Sequence, residues 1–269
     1  MNFLFWNCGR SRLGRTISKL AHQHEIDVIV LAEVTDTPAQ LLAELNKNSS
    51  FLFDFSQGQC KKICMFTRFP GEWATPVHEA SRYTIRRLCL PAKEEVLLVA
   101  AHLPSPLHLS ESSRNASCAD LAYDIRRVER QEQHTRTILV GDLNVNPFDA
   151  GAVNASGLHG VISRHIAAAG SRTVDGQDYP FFYNPMWSLY GDQTAGPPAT
   201  YHYRAPGHNA LFWHMYDQVM IRRDLIDGFN PNSLRIIDTD GFTSFLSKVG
   251  VPDKDKFSDH LPIVFEVNF

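Results

Sequence analysis

The sequence predicts an α/β fold with mixed, largely antiparallel sheets. Three observations carry this. Near-continuous apolar runs of strand length recur along the chain. Apolar residues at helical spacing separate some of them. Elsewhere several such runs follow one another with no helix between, which calls for antiparallel neighbours.

Residues 2–6 form a short apolar strand, and Leu13, Ile17, Leu20 and Ala21 then repeat at helical spacing. Asp27 to Ala32 is almost wholly apolar, as in a strand covered on both faces. Thr37 is a good N-cap and Pro38 a good first helical residue, with Leu41, Leu42 and Leu45 following. Strand-like runs occupy 51–55, 61–67, 84–90 and 95–101. Leu121, Ile125 and Val128 place a helix at 115–133, with Arg and Glu on its solvent side. Thr137 to Val140 is another apolar strand, and the final strands fall at 215–221 and 261–268. Residues 145–214 are less regular, with a helix near 157–169 and a short strand near 199–204. Long irregular segments of this kind are usually functional.

The 269 residues show no repeat, low-complexity tract or linker, so one domain spanning 1–269 is expected. With 43% hydrophobic residues a sizeable core is available, yet no apolar run is long enough to cross a bilayer. No secretory signal precedes the first strand. Five cysteines are an odd, scattered set without zinc-site spacing and read as reduced thiols, so a cytoplasmic protein with no membrane association is expected. The net charge is −3 and the pI about 6.4. Any polyanion must therefore be held by a local patch or a bound cation.

Polar residues recur where apolar strands end: Asn7, Glu33, His102, then Asp142 with Asn144, and Asp259 with His260 just before the last strand, while Asp217 lies within the strand before it. Ligands of open α/β sheets sit beyond strand ends. Oxygen ligands such as Glu33, Asp142, Asn144 and Asp259 suit a hard cation like Mg²⁺. Asn7, Asn144 and the histidines can donate to phosphoryl oxygens, and a carboxylate such as Asp217 can orient His260.

Tyr216-Asp217, Gly141-Asp142-Leu143-Asn144 and Ser258-Asp259-His260-Leu261-Pro262 resemble the signature of the endonuclease/exonuclease/phosphatase superfamily. Trp6-Asn7, Leu31-Ala32-Glu33 and Ala101-His102-Leu103 resemble its other blocks, in the same order. The resemblance implies a deoxyribonuclease I-like four-layer α/β sandwich of two packed sheets. It also implies Mg²⁺- or Mn²⁺-dependent hydrolysis of phosphodiesters, with nucleic acid, DNA more than RNA, as substrate. Glu33 would be the main metal ligand, helped by Asn7 and Asp259. Asp142 would position or activate the attacking water, and Asn144 would hold the phosphate. His260, oriented by Asp217, would act as general base or phosphate stabiliser. His102 resembles the second histidine of the deoxyribonuclease and sphingomyelinase branches, which donates to the phosphate or leaving oxygen. Substrate choice would reside in variable loops, here 68–83, 103–115 and 170–214. Two departures stand out: Cys60-Lys61-Lys62-Ile63 replaces a Gly-rich strand, and Gln218 follows Asp217 where Tyr, His or Arg is more usual.

Each residue also has a plainer reading. Asp142, Asn144 and Asn146 suit a turn, but Pro147 and Val153 rule out an EF-hand. His202, His208 and His214 match no zinc motif. Arg12, Arg15 and Lys19 share one helical face; they are either a solvated face or, with Arg10, the border of a substrate site. Phe181, Phe182, Tyr183, Trp187 and Tyr190 are either satellite core or a stacking surface. A phosphatase of small or lipid phosphoesters and a catalytically inactive binding module are the rival functions.

Overall fold

The computed structural model describes residues 1–47, 51–106 and 110–269. Residues 107–109, within the second of the expected variable loops, lie outside the described residues. The strands are β1 (Asn2–Asn7), β2 (Val28–Ala32), β3 (Asp54–Phe55), β4 (Ile63–Thr67), β5 (Ala74–Glu79), β6 (Tyr83–Leu88), β7 (Val96–His102), β8 (Thr137–Asp142), β9 (Gly160–Val161), β10 (Ser171–Val174), β11 (Gln177–Pro180), β12 (Phe182–Tyr183), β13 (Tyr201–His202), β14 (Trp213–His214), β15 (Asp217–Arg222), β16 (Phe229–Ile236) and β17 (Ile263–Val267). The helices are α1 (Gly14–Gln23), α2 (Pro38–Leu45) and α3 (Glu111–Glu132), with two short ones, α4 (Ala150–Val153) and α5 (Arg164–Ala168).

Two mixed sheets pack face to face. One runs β16-β17-β1-β2-β4-β3 and the other β5-β6-β7-β8-β15-β12-β9. The pairs β1–β2, β7–β8 and β9–β12 are parallel, and the other pairs within these two sheets are antiparallel. The unbroken apolar runs follow from this layering. On β7 and β8, Leu98, Ala100, Ile138 and Val140 face the core between the sheets, whereas Leu97, Val99, Ala101 and Leu139 join a second core with Leu121, Ile125 and Val128 of α3. Alternate residues point to opposite faces, so a strand covered on both sides is apolar throughout. This is the expected α/β sandwich.

Local signals act as anticipated at α2, where Thr37 accepts from the Gln40 backbone and Gln40 reaches back to the Thr37 N–H. α1 buries Ile17, Leu20 and Ala21. All five cysteines are free thiols; Cys8, Cys60 and Cys118 are buried, Cys64 half-buried and Cys89 exposed. Among the described residues no helix is long and apolar enough to cross a membrane.

Three features correct the reading of the sequence. β5 and β16 are strands that no apolar run signalled. Each lies at a sheet edge, carries a proline (Pro76, Pro231) and has a register shift there. Proline cannot donate to a ladder and is tolerated only at edges and bulges. The helix expected near 157–169 is confined to Arg164–Ala168. A β-carbon on Gly157 would lie 2.3 Å from the Gly151 carbonyl oxygen and His159 is left-handed, so this stretch is a tight loop leading into β9.

A buried ion pair locks α3 to β15. Arg222 donates to Glu129 at 2.8 Å, both side chains are under 5% exposed, and Thr137 Oγ1 also donates to Glu129 at 2.8 Å. Removing one partner leaves the other charge buried alone. Glu129→Ala is expected to cost about 3–5 kcal/mol in urea unfolding. A loss below about 1 kcal/mol, the scale of an exposed pair, would show that the pair does not anchor the helix.

The same register gathers the strand ends. Asn7 pairs with Ala32 next to Glu33, His102 with Asp142, and Asp142 with Asp217.

Candidate active site at the strand ends

Asp142 and Asp217 lie side by side at the heads of antiparallel β8 and β15, and both are buried. Asp217 Oδ2 is 2.8 Å from His260 Nδ1. The His260 segment is clamped on both sides. Ser258 Oγ donates to the Asn7 carbonyl and accepts from the His260 N–H, while the Trp6 indole donates to the His260 carbonyl at 2.9 Å. Thr200 accepts from Leu261 N through its carbonyl and from Asp217 N through its hydroxyl, tying both partners to one residue. Asp142 accepts from Asn7 Nδ2 at 2.9 Å and from Asn144 N at 3.0 Å. Asn144 in turn donates to the Leu103 carbonyl at 2.9 Å, and its own carbonyl accepts from Arg114 at 3.1 Å.

Three non-glycine residues of the site adopt left-handed backbone. Arg10, Glu33 and Asn144 all have left-handed φ, of 63°, 50° and 52°. Non-glycine residues hold this conformation only where the surroundings impose it. Gly9 has φ 54°, where a side chain is strained, and a β-carbon there would lie 2.8 Å from Asp259 Oδ1 and force it to shift.

Electrostatics separates the two histidines. Burial works against a charge on His260, but Asp217 and Asp142 hold the proton on, so its pKa is raised. Burial raises that of Asp142, His260 opposes the rise and Asp217 adds to it. Burial, reinforced by the charges of Arg82, His260 and Lys62, pushes His102 down to about 4, so its ring is neutral near pH 7. His102 Nδ1 is buried without a hydrogen-bond partner among the described residues. An orphaned acceptor costs less than an orphaned donor here, because Nε2 has acceptors: Glu33 Oε1 at 3.5 Å and Asp142 Oδ2 at 3.7 Å. The two carboxylates facing Nε2 favour the tautomer with the proton there.

These groups line one open cleft of about 660 Å³. Asn7, Glu33, His102, Asp142, Asn144, Asp259 and His260 all reach it, with Arg10 at its edge. Asp217 lies beneath, fully buried behind His260.

The sequence matches the Endonuclease/Exonuclease/phosphatase family over residues 4–260. This chain belongs to that family. Members are phosphoester hydrolases and generally use divalent metals. A search of curated proteins finds no match. Solved structures agree in fold. TDP2 of D. rerio, complexed with a single-strand DNA product, is 14% identical with a TM-score of 0.59, covering 100% of this chain and 99% of its own. The human Nocturnin catalytic domain with bound sulfate is 16% identical at 0.56, covering 100% and 94%. The 3′ phosphatase NExo from Neisseria, bound to a product DNA hairpin, is 13% identical at 0.55, covering 100% of each chain.

A divalent cation of the kind the family uses finds suitable donors here. The Glu33 and Asp259 carboxylates and the Asn7 amide oxygen are hard oxygen donors on one cleft, and among the described residues the ion-pair contacts of Glu33 are the longer ones to Arg10 and His102 at 3.5 Å. Asp142, Asp217 and His260 are also close enough together to hold an ion. Within the trio Asp217 Oδ2 is bonded to His260 and both Asp142 oxygens accept from Asn7 and Asn144, which leaves Asp217 Oδ1 buried without a hydrogen-bond partner among the described residues.

Three groups of residues fall elsewhere. Arg12 and Arg15 line a separate hollow between α1 and α2 with Asp36 and Glu44, and Lys19 pairs with Asp240 at 2.9 Å. Phe181, Phe182 and Tyr183 are core, while Trp187 and Tyr190 pack on Phe148. His202, His208 and His214 make no metal-spaced group among the described residues; His214 instead contacts Asn146 and stacks on Tyr216.

Sequence reading missed five cleft residues: Lys62, Arg82, Tyr201, Tyr203 and Tyr216. Tyr216 is part of the Tyr-Asp motif but was read only for its aspartate. Its ring stacks on Tyr201 at 5.4 Å, and Tyr201 lies against His260 at 4.6 Å. Lys62 stands just before β4, and Tyr201 and Tyr203 on or beside the short strand expected near 199–204, but neither position carries a polar group of the kind sought at strand ends, and Arg82 lies in a turn.

Proposed function

We propose that this cleft hydrolyses phosphodiester bonds with a bound Mg²⁺ or Mn²⁺, and that its substrate is nucleic acid, DNA in preference to RNA. The observation that carries the reading is the juxtaposition of Asp142 and the Asp217–His260 pair with the oxygen donors of Glu33, Asn7 and Asp259 across one cleft. The DNA-bound state of two structural neighbours supports the choice of substrate.

Glu33, Asn7 and Asp259 would hold the cation, which when bound neutralises charge on the phosphoryl oxygens. His260, kept protonated between two carboxylates, donates to a phosphoryl oxygen through Nε2 while Asp217 fixes its ring. Asp142, whose carboxylate is the more basic for being buried, orients the attacking water and accepts its proton. Neutral His102 offers its Nε2–H to the departing oxygen. Asn144 sets the Asp142 loop through its bonds to Leu103 and Arg114.

A small phosphoester is the second reading, favoured by the net charge of −3 and by the position of Arg12 and Arg15 outside the cleft. The test is a panel of plasmid, single-stranded DNA, RNA, abasic duplex and small phosphoesters, each with Mg²⁺, Mn²⁺ or chelator. Cleavage of nothing on the panel would overturn the hydrolase reading. Binding of the Asp142→Asn protein to oligonucleotides separates the substrates. Arg10→Ala should flatten the slope of log K against log salt by about 0.9 on duplex or about 0.7 on a single strand. The Arg12→Ala/Arg15→Ala double variant should flatten it further, by roughly one to two units, only where the strand runs on across α1. No binding to either oligonucleotide at low salt would reject nucleic acid.

A further inference from the structure

The cleft is not symmetric in charge. On the side of His102, Lys62 and Arg82 line it. They come from different parts of the fold, Lys62 from the approach to β4 and Arg82 from the turn between β5 and β6. The turn is pinned to the site, because the Arg82 carbonyl accepts the His102 N–H at 2.8 Å and Ala80 N bonds the Tyr83 carbonyl at 2.9 Å. Among the described residues neither side chain has a hydrogen bond or a carboxylate partner. Other cations nearby are engaged: Arg10 with Glu33, Arg86 with Glu79 and Arg114 with Asp149. Yet both unpaired charges are felt at His102. Two cations left without counter-charge beside a phosphate site are built for an anion supplied by the substrate.

We propose that Lys62 and Arg82 form a second phosphate subsite next to the reacting one, so that the preferred substrate carries two phosphoryl groups one linkage apart. This rests on the phosphodiesterase reading above. Two sources supply the second phosphate: the neighbouring internal diester of an oligonucleotide, or a terminal phosphomonoester on a nucleotide.

Three substrates decide it. Thymidine 5′-(p-nitrophenyl phosphate) has one phosphate. Its 3′-phosphorylated analogue adds a terminal one. A short oligothymidylate without terminal phosphates has internal ones only. For Lys62→Gln and Arg82→Gln, the loss of kcat/KM on a two-phosphate substrate should exceed that on the one-phosphate ester by about 10- to 100-fold, the worth of a charge-assisted contact. Arg82→Lys should recover part of it. A selective loss with the 3′-phosphorylated ester assigns a terminal phosphate, and one with the oligothymidylate assigns the internal diester. The same factor on all three substrates would overturn the proposal. Calorimetric binding of thymidine 3′,5′-bisphosphate against thymidine 5′-monophosphate tests the subsite without turnover. The wild-type protein should prefer the bisphosphate by about 10-fold or more, and the Lys62→Gln/Arg82→Gln variant should lose that preference. Equal affinities in the wild-type protein would remove the terminal-phosphate form, and with no selective oligothymidylate loss the subsite falls altogether. Failure to hydrolyse even the one-phosphate ester would count against the phosphodiesterase reading alone.

Discussion

Replacing His260 or Asp217 by alanine is expected to slow phosphodiester hydrolysis by about 10²–10⁴-fold, the scale of a positioned acid or base. The double variant should be little slower than the worse single one, because residues acting as a unit are non-additive. The structural ground is the 2.8 Å contact between Asp217 Oδ2 and His260 Nδ1, with Asp217 unable to reach the cleft itself. Without the carboxylate the imidazole loses both its orientation and the charge that keeps it protonated. Asp217→Asn is the sharper probe, since it keeps the shape and removes the charge. The measurement is single-turnover kinetics on a chromogenic diester for both single variants and the pair. Rate losses that multiply cleanly would show that the two side chains do not cooperate.

The second large effect is expected at Glu33. Its carboxylate makes no hydrogen bond of ordinary length among the described residues, where its ion-pair contacts are an exposed arginine and a neutral histidine at 3.5 Å. Such contacts contribute little to stability. Glu33→Gln should therefore leave the unfolding transition unchanged. It should weaken Mn²⁺ binding by more than the roughly 10–100-fold that follows loss of a residue merely supporting a metal ligand. Excess chelator should abolish turnover in the wild-type protein. Titration calorimetry with Mn²⁺ checks the first statement and a chelator series the second. Full activity of the Glu33→Gln protein in excess chelator would sink the metal assignment.

Both predictions concern residues legible in the sequence, and the reason is physical. Asn7, Glu33, His102 and Asp142 each follow an apolar run covered on both faces, so a polar side chain there stands out. His260 and Asp217 were paired on chemistry, and the folded chain puts them in contact. The limits are as specific. Pro76 and Pro231 hid two edge strands by interrupting their pattern at a bulge. Arg12 and Arg15 continue in sequence from Arg10, but Arg12 precedes α1, which begins at Gly14 and carries only Arg15, and both line the hollow beside α2 away from the cleft. Lys62 and Arg82 are single cations in turns, and only the tertiary approach of β4 and the β5–β6 turn to His102 gives them a shared neighbour.

The position of β1 between β2 and β17 has a consequence for biosynthesis. Trp6 bonds to His260 across 254 residues of sequence, and the first sheet closes only when β17 pairs with β1. At the usual ribosomal pace, roughly 10–50 s separate the emergence of the two ends of the site. During that interval Asn7 and Glu33 stand on a half-built sheet without His260. The strand-end cluster is therefore complete only after the closing strand has emerged and paired with β1.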